Sequence, residues 1–292
     1  MINSDETKTD RPRWLINVDE YIEEEQDIYP SVAPYYEIVR DMLLEPEDSD
    51  SAVPNAVTKF YDLHTAAIEE EMAKETSEPE KLAGYKLNTI ADIAFEIARD
   101  VFYTTFEHER LAKLLIGIKK GAANEYDKEK PNFVYHGWGL ERVAAEAWNA
   151  SHVDSRTKFG ATEEEHIYTE GWINISALLD KLYQEGLLDT KGPLWLVRDF
   201  EDAFEICTGG DITSDAGRQA QVLAVINHVL IAGEPFAREA KEPSEEKKYE
   251  LDAAKWKLWA SKIQEIAEAV GEDAKWDLKN RAKKAYARMV EL

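Results

Sequence analysis

The sequence predicts an all-α protein: a single large multi-helix array of about nine to eleven helices that ends in an antiparallel helical hairpin. Three observations predict it. Trp256, Trp259, Ile263, Ile266 and Val270 fall at steps of three, four, three and four, which places all five on one face of a helix. After Gly271 a second stripe runs through Leu278, Ala282, Ala285 and Met289, so two amphipathic helices are joined by a tight turn. No run of alternating apolar and polar residues is bounded by turn signals. Finally, 14 Gly and 10 Pro in 292 residues are sparse for a sandwich or a doubly wound sheet.

Taken in order, residues 1–18 read as a flexible N-terminal arm that Trp14 and Leu15 pin to the body, and residues 19–292 as a single helical domain. A first helix is expected from about Val32 to Leu44, with Tyr35, Tyr36, Val39 and Leu43 inward. Residues 45–54 are a linker by composition: acidic, serine-bearing and bracketed by proline. Asn55 can cap the next helix, with Val57, Phe60, Leu63 or His64, Ala67 and Ile68 on one side. Ser77-Glu78-Pro79 breaks the chain, and Asn88 can cap a stripe through Ile90, Ala94, Ile97 and Val101. Leu111, Leu114, Leu115 and Ile118 form another stripe, stopped near Gly121. The aromatic-rich segment 124–139 is irregular and expected to pack down.

Ala144, Ala147 and Trp148 belong to a short helix. Thr162 and Glu165 form a capping box before a long one, along which Trp172, Ile175, Leu179 and Leu182 recur at helical spacing until Gly186. Pro193 sits in a first turn, followed by Leu194, Val197, Glu201 and Phe204, and Gly209-Gly210 end that helix. Val222, Val225, Ile226, Val229 and Leu230 make a strongly apolar helix that closes near Gly233 and Pro235. Residues 241–250 are a charged entry to the hairpin. No internal repeat of fixed period is found.

Charge narrows the partners. Against 35 Lys and Arg stand 59 Asp and Glu, a net charge of −24, and such a surface repels phosphate backbones and anionic lipid heads. Neither nucleic acid nor a membrane is an expected partner, and solubility is the plainer reading of the charge. The one cysteine, Cys207, permits no disulfide within the chain and no thiolate zinc cluster. With a polar N-terminal stretch and no run of eighteen apolar residues, the expected location is cytoplasmic.

Motifs narrow the chemistry. There is no Gly-rich phosphate loop, no dinucleotide fingerprint and no nucleophile elbow. Glu163 and His166 give one E-x-x-H pair where a di-iron bundle needs two, so the acids at 163–165 read as a first turn that complements the helix dipole. Asp199, Glu201, Asp202 and Glu205 approach an aspartate-rich magnesium cluster but lack the paired aspartates, and read as a solvated helix face. No cofactor and no metal are expected. Of six histidines, His228 lies inside the most apolar stripe, where it is either a satisfied core residue or a buried base with a shifted pKa. Cys207 reads as a buried thiol. Eight Trp, thirteen Tyr and nine Phe can fill a core or line a pocket.

Several of these blocks also resemble a known family. Gly171-Trp-Ile-Asn-Ile-Ser-Ala-Leu-Leu, the run Leu196-Val-Arg-Asp-Phe-Glu-Asp-Ala-Phe-Glu, and the closing Lys255-Trp-Lys-Leu-Trp with Ala285 and Met289 are similar to the fungal domain-of-unknown-function family 3632. The likeness is carried by Trp172 and Asn174, by Arg198 and Glu205, and by Trp256, Trp259, Ala285 and Met289, over about 88–120 and 165–292. It implies an intracellular helical protein, with some relatives encoded beside natural-product pathways, and no catalytic residues to carry over. Leu178 and Leu179 stand where the family commonly has small alanines.

Two functional readings follow. One is a protein that binds an apolar small molecule, in the limit a cofactor-free enzyme of fungal specialised metabolism that promotes a cyclisation such as a cycloaddition, or an isomerisation. Its substrate-binding candidates are Trp172, Tyr183, Trp195, Trp256 and Trp259, with His228 as the catalytic candidate. The alternative is a non-catalytic helical interaction or scaffold protein that uses a groove between helix pairs.

Overall fold

The computed structural model describes residues 11–28, 31–73, 79–125, 139–157, 163–188, 192–206, 208–243 and 247–292. Among the described residues it is all-helical, with eleven α-helices and no strand. The chain groups into two compact units, Met1–Val143 and Ala144–Leu292, where the sequence reading treats 19–292 as one domain.

The first unit holds α1 (Arg13–Glu25), α2 (Ala33–Leu44), α3 (Ala52–Met72), α4 (Pro79–Ala98) and α5 (Phe106–Glu125). Residues 1–10 of the expected arm lie outside the described residues, and Arg13 to Val18 of it are helical. Trp14, Leu15, Val18 and Ile22 share one face and are buried, so α1 forms as soon as Pro12 has been passed. α1 packs on α2, and α3 packs on α2, α4 and α5. Tyr21 and Tyr36 stack at 5.3 Å, and the Tyr36 hydroxyl donates to Glu96 Oε2 at 2.6 Å, joining α2 to α4.

Prolines are read differently by structure and sequence here. α3 starts at Ala52 with Pro54 in its first turn, so Asn55 is not its cap, and α4 starts at Pro79 and runs through Asn88. A first-turn proline begins a helix as readily as it breaks one. Gly121 is likewise no stop. The Tyr61 ring lies 2.6 Å from where its Cβ would be, so glycine is needed for close approach inside α5. Most of the expected irregular segment, residues 126–138, lies outside the described residues.

The linker after α2 is held by one buried cation. Arg110, on α5, donates to the carbonyls of Met42 (3.2 Å), Glu45 (2.6 Å) and Pro46, and its guanidinium lies 4.8 Å over the Phe106 ring. These carbonyls are the orphan acceptors at a helix end. Arg110→Met removes the donors and leaves the carbonyl of the buried Met42 without this partner. It is expected to destabilise the first unit by about 3 kcal/mol in denaturant unfolding, because several charge-assisted bonds are lost at once.

The second unit contains most of α6 (Leu140–Thr157), then α7 (Glu163–Gln184), α8 (Gly192–Glu201) running into a π-helical turn (Asp202–Ile206), α9 (Ala216–Lys241), α10 (Ala253–Ala269) and α11 (Leu278–Glu291). α9 is its axis, packing on α7, α8, α10 and α11. Every residue from Gly217 to Val229 is buried, the apolar stripe together with Arg218, Gln219, Gln221, Asn227 and His228. Among the described residues α9 alone is long and apolar enough to cross a membrane, and 78% of that window is buried inside the unit as a core helix. It does not close at Gly233 and Pro235. It kinks at Ala232 (φ −112°, ψ 23°), where Pro235 supplies no amide hydrogen, and continues to Lys241.

The hairpin forms as the stripes predict. Trp256, Trp259, Ile263 and Val270 of one stripe and Leu278, Ala282, Ala285 and Met289 of the other are buried. Trp256 Nε1 donates to the Met289 carbonyl at 3.0 Å, setting the start of α10 beside the end of α11. The turn between them is tight enough to hold Trp276 and Asp277 at positive φ, 55° and 56°.

Candidate functional site

Two sites arise in the second unit: a sealed charge cluster at the middle of α9, and a cavity at its end. The cluster is built from four helices. His228 sits among the all-buried residues of α9, Asp180 projects from α7, Asp199 from α8 and Trp148 from α6. His228 Nδ1 lies 2.7 Å from Asp180 Oδ1, and Nε2 lies 3.0 Å from Asp199 Oδ2. The Trp148 indole N–H donates to both Asp199 oxygens at 3.2 and 3.3 Å. His228 and Asp199 are 1% exposed and Asp180 is wholly buried.

Electrostatics fix the protonation. Burial opposes the imidazolium, but the facing charges and hydrogen bonds of Asp180 and Asp199 outweigh it and push His228 up to about 10. At neutral pH the ring is therefore charged and donates from both nitrogens. Burial pushes the Asp180 carboxyl above its ordinary value, with the His228 charge pulling it back. Asp180 Oδ2 and the Ser176 hydroxyl, one turn earlier on α7, are buried without a hydrogen-bond partner among the described residues. The expected solvated face is thus corrected in part. Asp199 and Asp202 are buried, while Glu201 and Glu205 turn to Lys255, and Glu205 Oε1 also accepts from Trp259 Nε1 at 2.8 Å. With both nitrogens occupied and no surface exposure, His228 offers no face to a substrate.

An aromatic chain leads away from the cluster. Phe200 lies 6.2 Å from His228 and stacks on Trp259 at 4.5 Å, while Phe236 lies 5.4 Å from Phe200 and meets Trp256 edge-on at 5.7 Å. Trp256 and Trp259 thus converge through two phenylalanines that sequence reasoning did not nominate. Phe200 and Phe204 at i and i+4 were the available signal. Trp172, Tyr183 and Trp195 are buried on α7 and α8, where the Tyr183 ring closes over Gly192.

The cavity, about 530 Å³, lies between the last turns of α9, the first three turns of α10 and the end of α11. It exists because small residues face each other: Ala237 and Ala240 on α9, Ala253 and Ala260 on α10. Trp256, Tyr286 and Met289 wall it, and Lys241, Lys257 and Gln264 stand among its polar margins. Of the six residues nominated from sequence, Trp256 lines it and the other five do not. Among the described residues no group of three His, Cys, Asp or Glu could hold a metal ion. Cys207 and the side chain of His166 lie outside the described residues. Compared with known proteins, the chain matches no family model, no curated protein and no solved structure.

The cluster makes stability depend on pH. A histidine raised in the fold contributes fully below its ordinary value of 6.5 and loses that contribution as pH climbs through about 10. A raised aspartate acts in the same direction, because the fold releases its proton less readily. Thermal unfolding followed by circular dichroism is expected to show the midpoint falling from pH 6.5 to 10; a flat profile would contradict a buried imidazolium. His228→Phe, which leaves two buried carboxylates facing each other, is expected to cost about 3–5 kcal/mol at neutral pH. Part of that loss is regained as pH falls and the buried Asp180, whose carboxyl holds its proton more readily than usual, becomes neutral.

Proposed function

We propose that this protein binds an apolar small molecule in the cavity between α9, α10 and α11, and that His228 holds the fold together and takes no part in turnover. The observation that carries the proposal is the cavity itself, about 530 Å³ with an alanine floor and a tryptophan wall. That volume falls within the range of small-molecule sites. A cyclisation or isomerisation would have to use groups at the cavity margin, such as Lys257, Ser261 or Gln264, since His228 is sealed. The scaffold reading has less support. The large apolar side chains exposed among the described residues (Ile28, Leu44, Ile206, Leu258 and Val290) are few and distributed over several elements.

The likeness to the fungal family 3632 is kept as part of the proposal. Of the residues that carry it, Trp172, Asn174, Trp256, Trp259, Ala285 and Met289 are buried and Arg198 and Glu205 are exposed, so most of the likeness falls on packing residues.

The test is a titration with N-phenyl-1-naphthylamine, a neutral apolar probe, read by energy transfer from tryptophan. Saturable binding to one site is expected. Ala260→Phe fills the floor and is expected to weaken binding at least about ten-fold, with the helical circular dichroism signal kept. Probe binding that is absent, or that a folded Ala260→Phe leaves unchanged, overturns the proposal.

A further inference from the structure

We infer that the cavity selects a single-chain amphiphile with an anionic head, an inference that rests on reading the cavity as a small-molecule site. Charge carries the argument. Acids outnumber bases 59 to 35 in the chain, yet the thirteen residues that line this cavity include Lys241 and Lys257 and no Asp or Glu. In a chain where one residue in five is acidic, that lining is a local reversal of sign.

Position supports charge. Lys241 ends α9 and donates to the Leu292 carbonyl at the end of α11, while Lys257 lies one turn beyond Ala253 near the start of α10. Both cations therefore stand at the end of the cavity where α9 stops and α10 begins. Lys257 is exposed, and among the described residues no carboxylate pairs with it. From Ala253 to Gln264 the α10 wall runs about 16 Å at 1.5 Å per residue, the length of a medium alkyl chain. Ala260 and Met289 supply apolar surface along the way. An ammonium opposite a carboxylate head forms a charge-assisted hydrogen bond, which a neutral alcohol of equal length cannot match. The ligand is a free molecule and not a membrane lipid, because the net charge of −24 opposes approach to an anionic bilayer.

The experiment compares decanoate, decan-1-ol and decyltrimethylammonium by isothermal calorimetry on the intact chain, with vesicle sedimentation as a further arm. Decanoate is expected to bind at least about ten-fold more tightly than decan-1-ol at low salt, with the ratio narrowing as salt rises. Lys257→Gln, at an exposed position, is expected to bring that ratio toward one. No sedimentation is expected with mixed phosphatidylcholine and phosphatidylglycerol vesicles. Equal binding of decanoate and decan-1-ol, or tighter binding of the cationic amphiphile, overturns the anionic selection while leaving the apolar site standing. Sedimentation with the vesicles overturns the free-ligand source. If none of the three amphiphiles binds, the cavity reading falls together with this one.

Discussion

A positive charge buried at the middle of a core helix must be neutralised where it stands. His228 is that charge, and Asp180 and Asp199 reach it from two other helices. The cost of burying three ionisable groups is large, and their mutual attraction offsets it only with good geometry. What the arrangement supplies is register. α9 is buried on every side between Gly217 and Val229, so apolar packing alone would tolerate a slide or a rotation. Two hydrogen bonds from one planar ring, with Trp148 holding the far carboxylate, admit a single alignment of α6, α7, α8 and α9. Further along, Arg281 donates to the Asn227 side chain at 2.6 Å and extends the same discipline to α11.

The cavity obeys a different constraint. It is an open cleft, with Lys241, Lys257, Ser261, Gln264 and Val290 exposed around it, and it deepens where short side chains meet. The alanines of α9 and α10 create it, and the Trp256 ring, anchored by its bond to the Met289 carbonyl, keeps the wall in place. The two sites thus divide the second unit. One half of α9 spends its polar groups on alignment, and the other half leaves apolar surface uncovered.

Periodicity made the helices legible. The stripes at 256–270 and 278–289, at 172–182 and at 222–230 all lie on buried faces, because a 3.6-residue repeat is a local property of the chain. Proline and glycine were harder to read. Pro54 and Pro79 open helices, Pro235 bends one, and Gly121 makes room for Tyr61, since their effect depends on neighbours far away in sequence. The candidate site was less legible still. His228 stood out because it interrupts an apolar stripe. Its partners did not, because Asp180 sits inside an ordinary-looking helical stretch and Asp199 sits in an acid-rich run that reads as a solvated face. The cavity gave no signal at all: it is defined by what alanines leave empty, and an alanine in a helix has no need of a special reason.

The break at Ala232 separates the two halves of α9. An unbroken helix transmits a push along its length, because each carbonyl is tied to an amide one turn on. Here that ladder is cut between the turn that carries the imidazolium and the turns that border the empty space. A guest that wedges the lower turns aside would spend its leverage on bending this joint, and the ion trio above it would stay undisturbed.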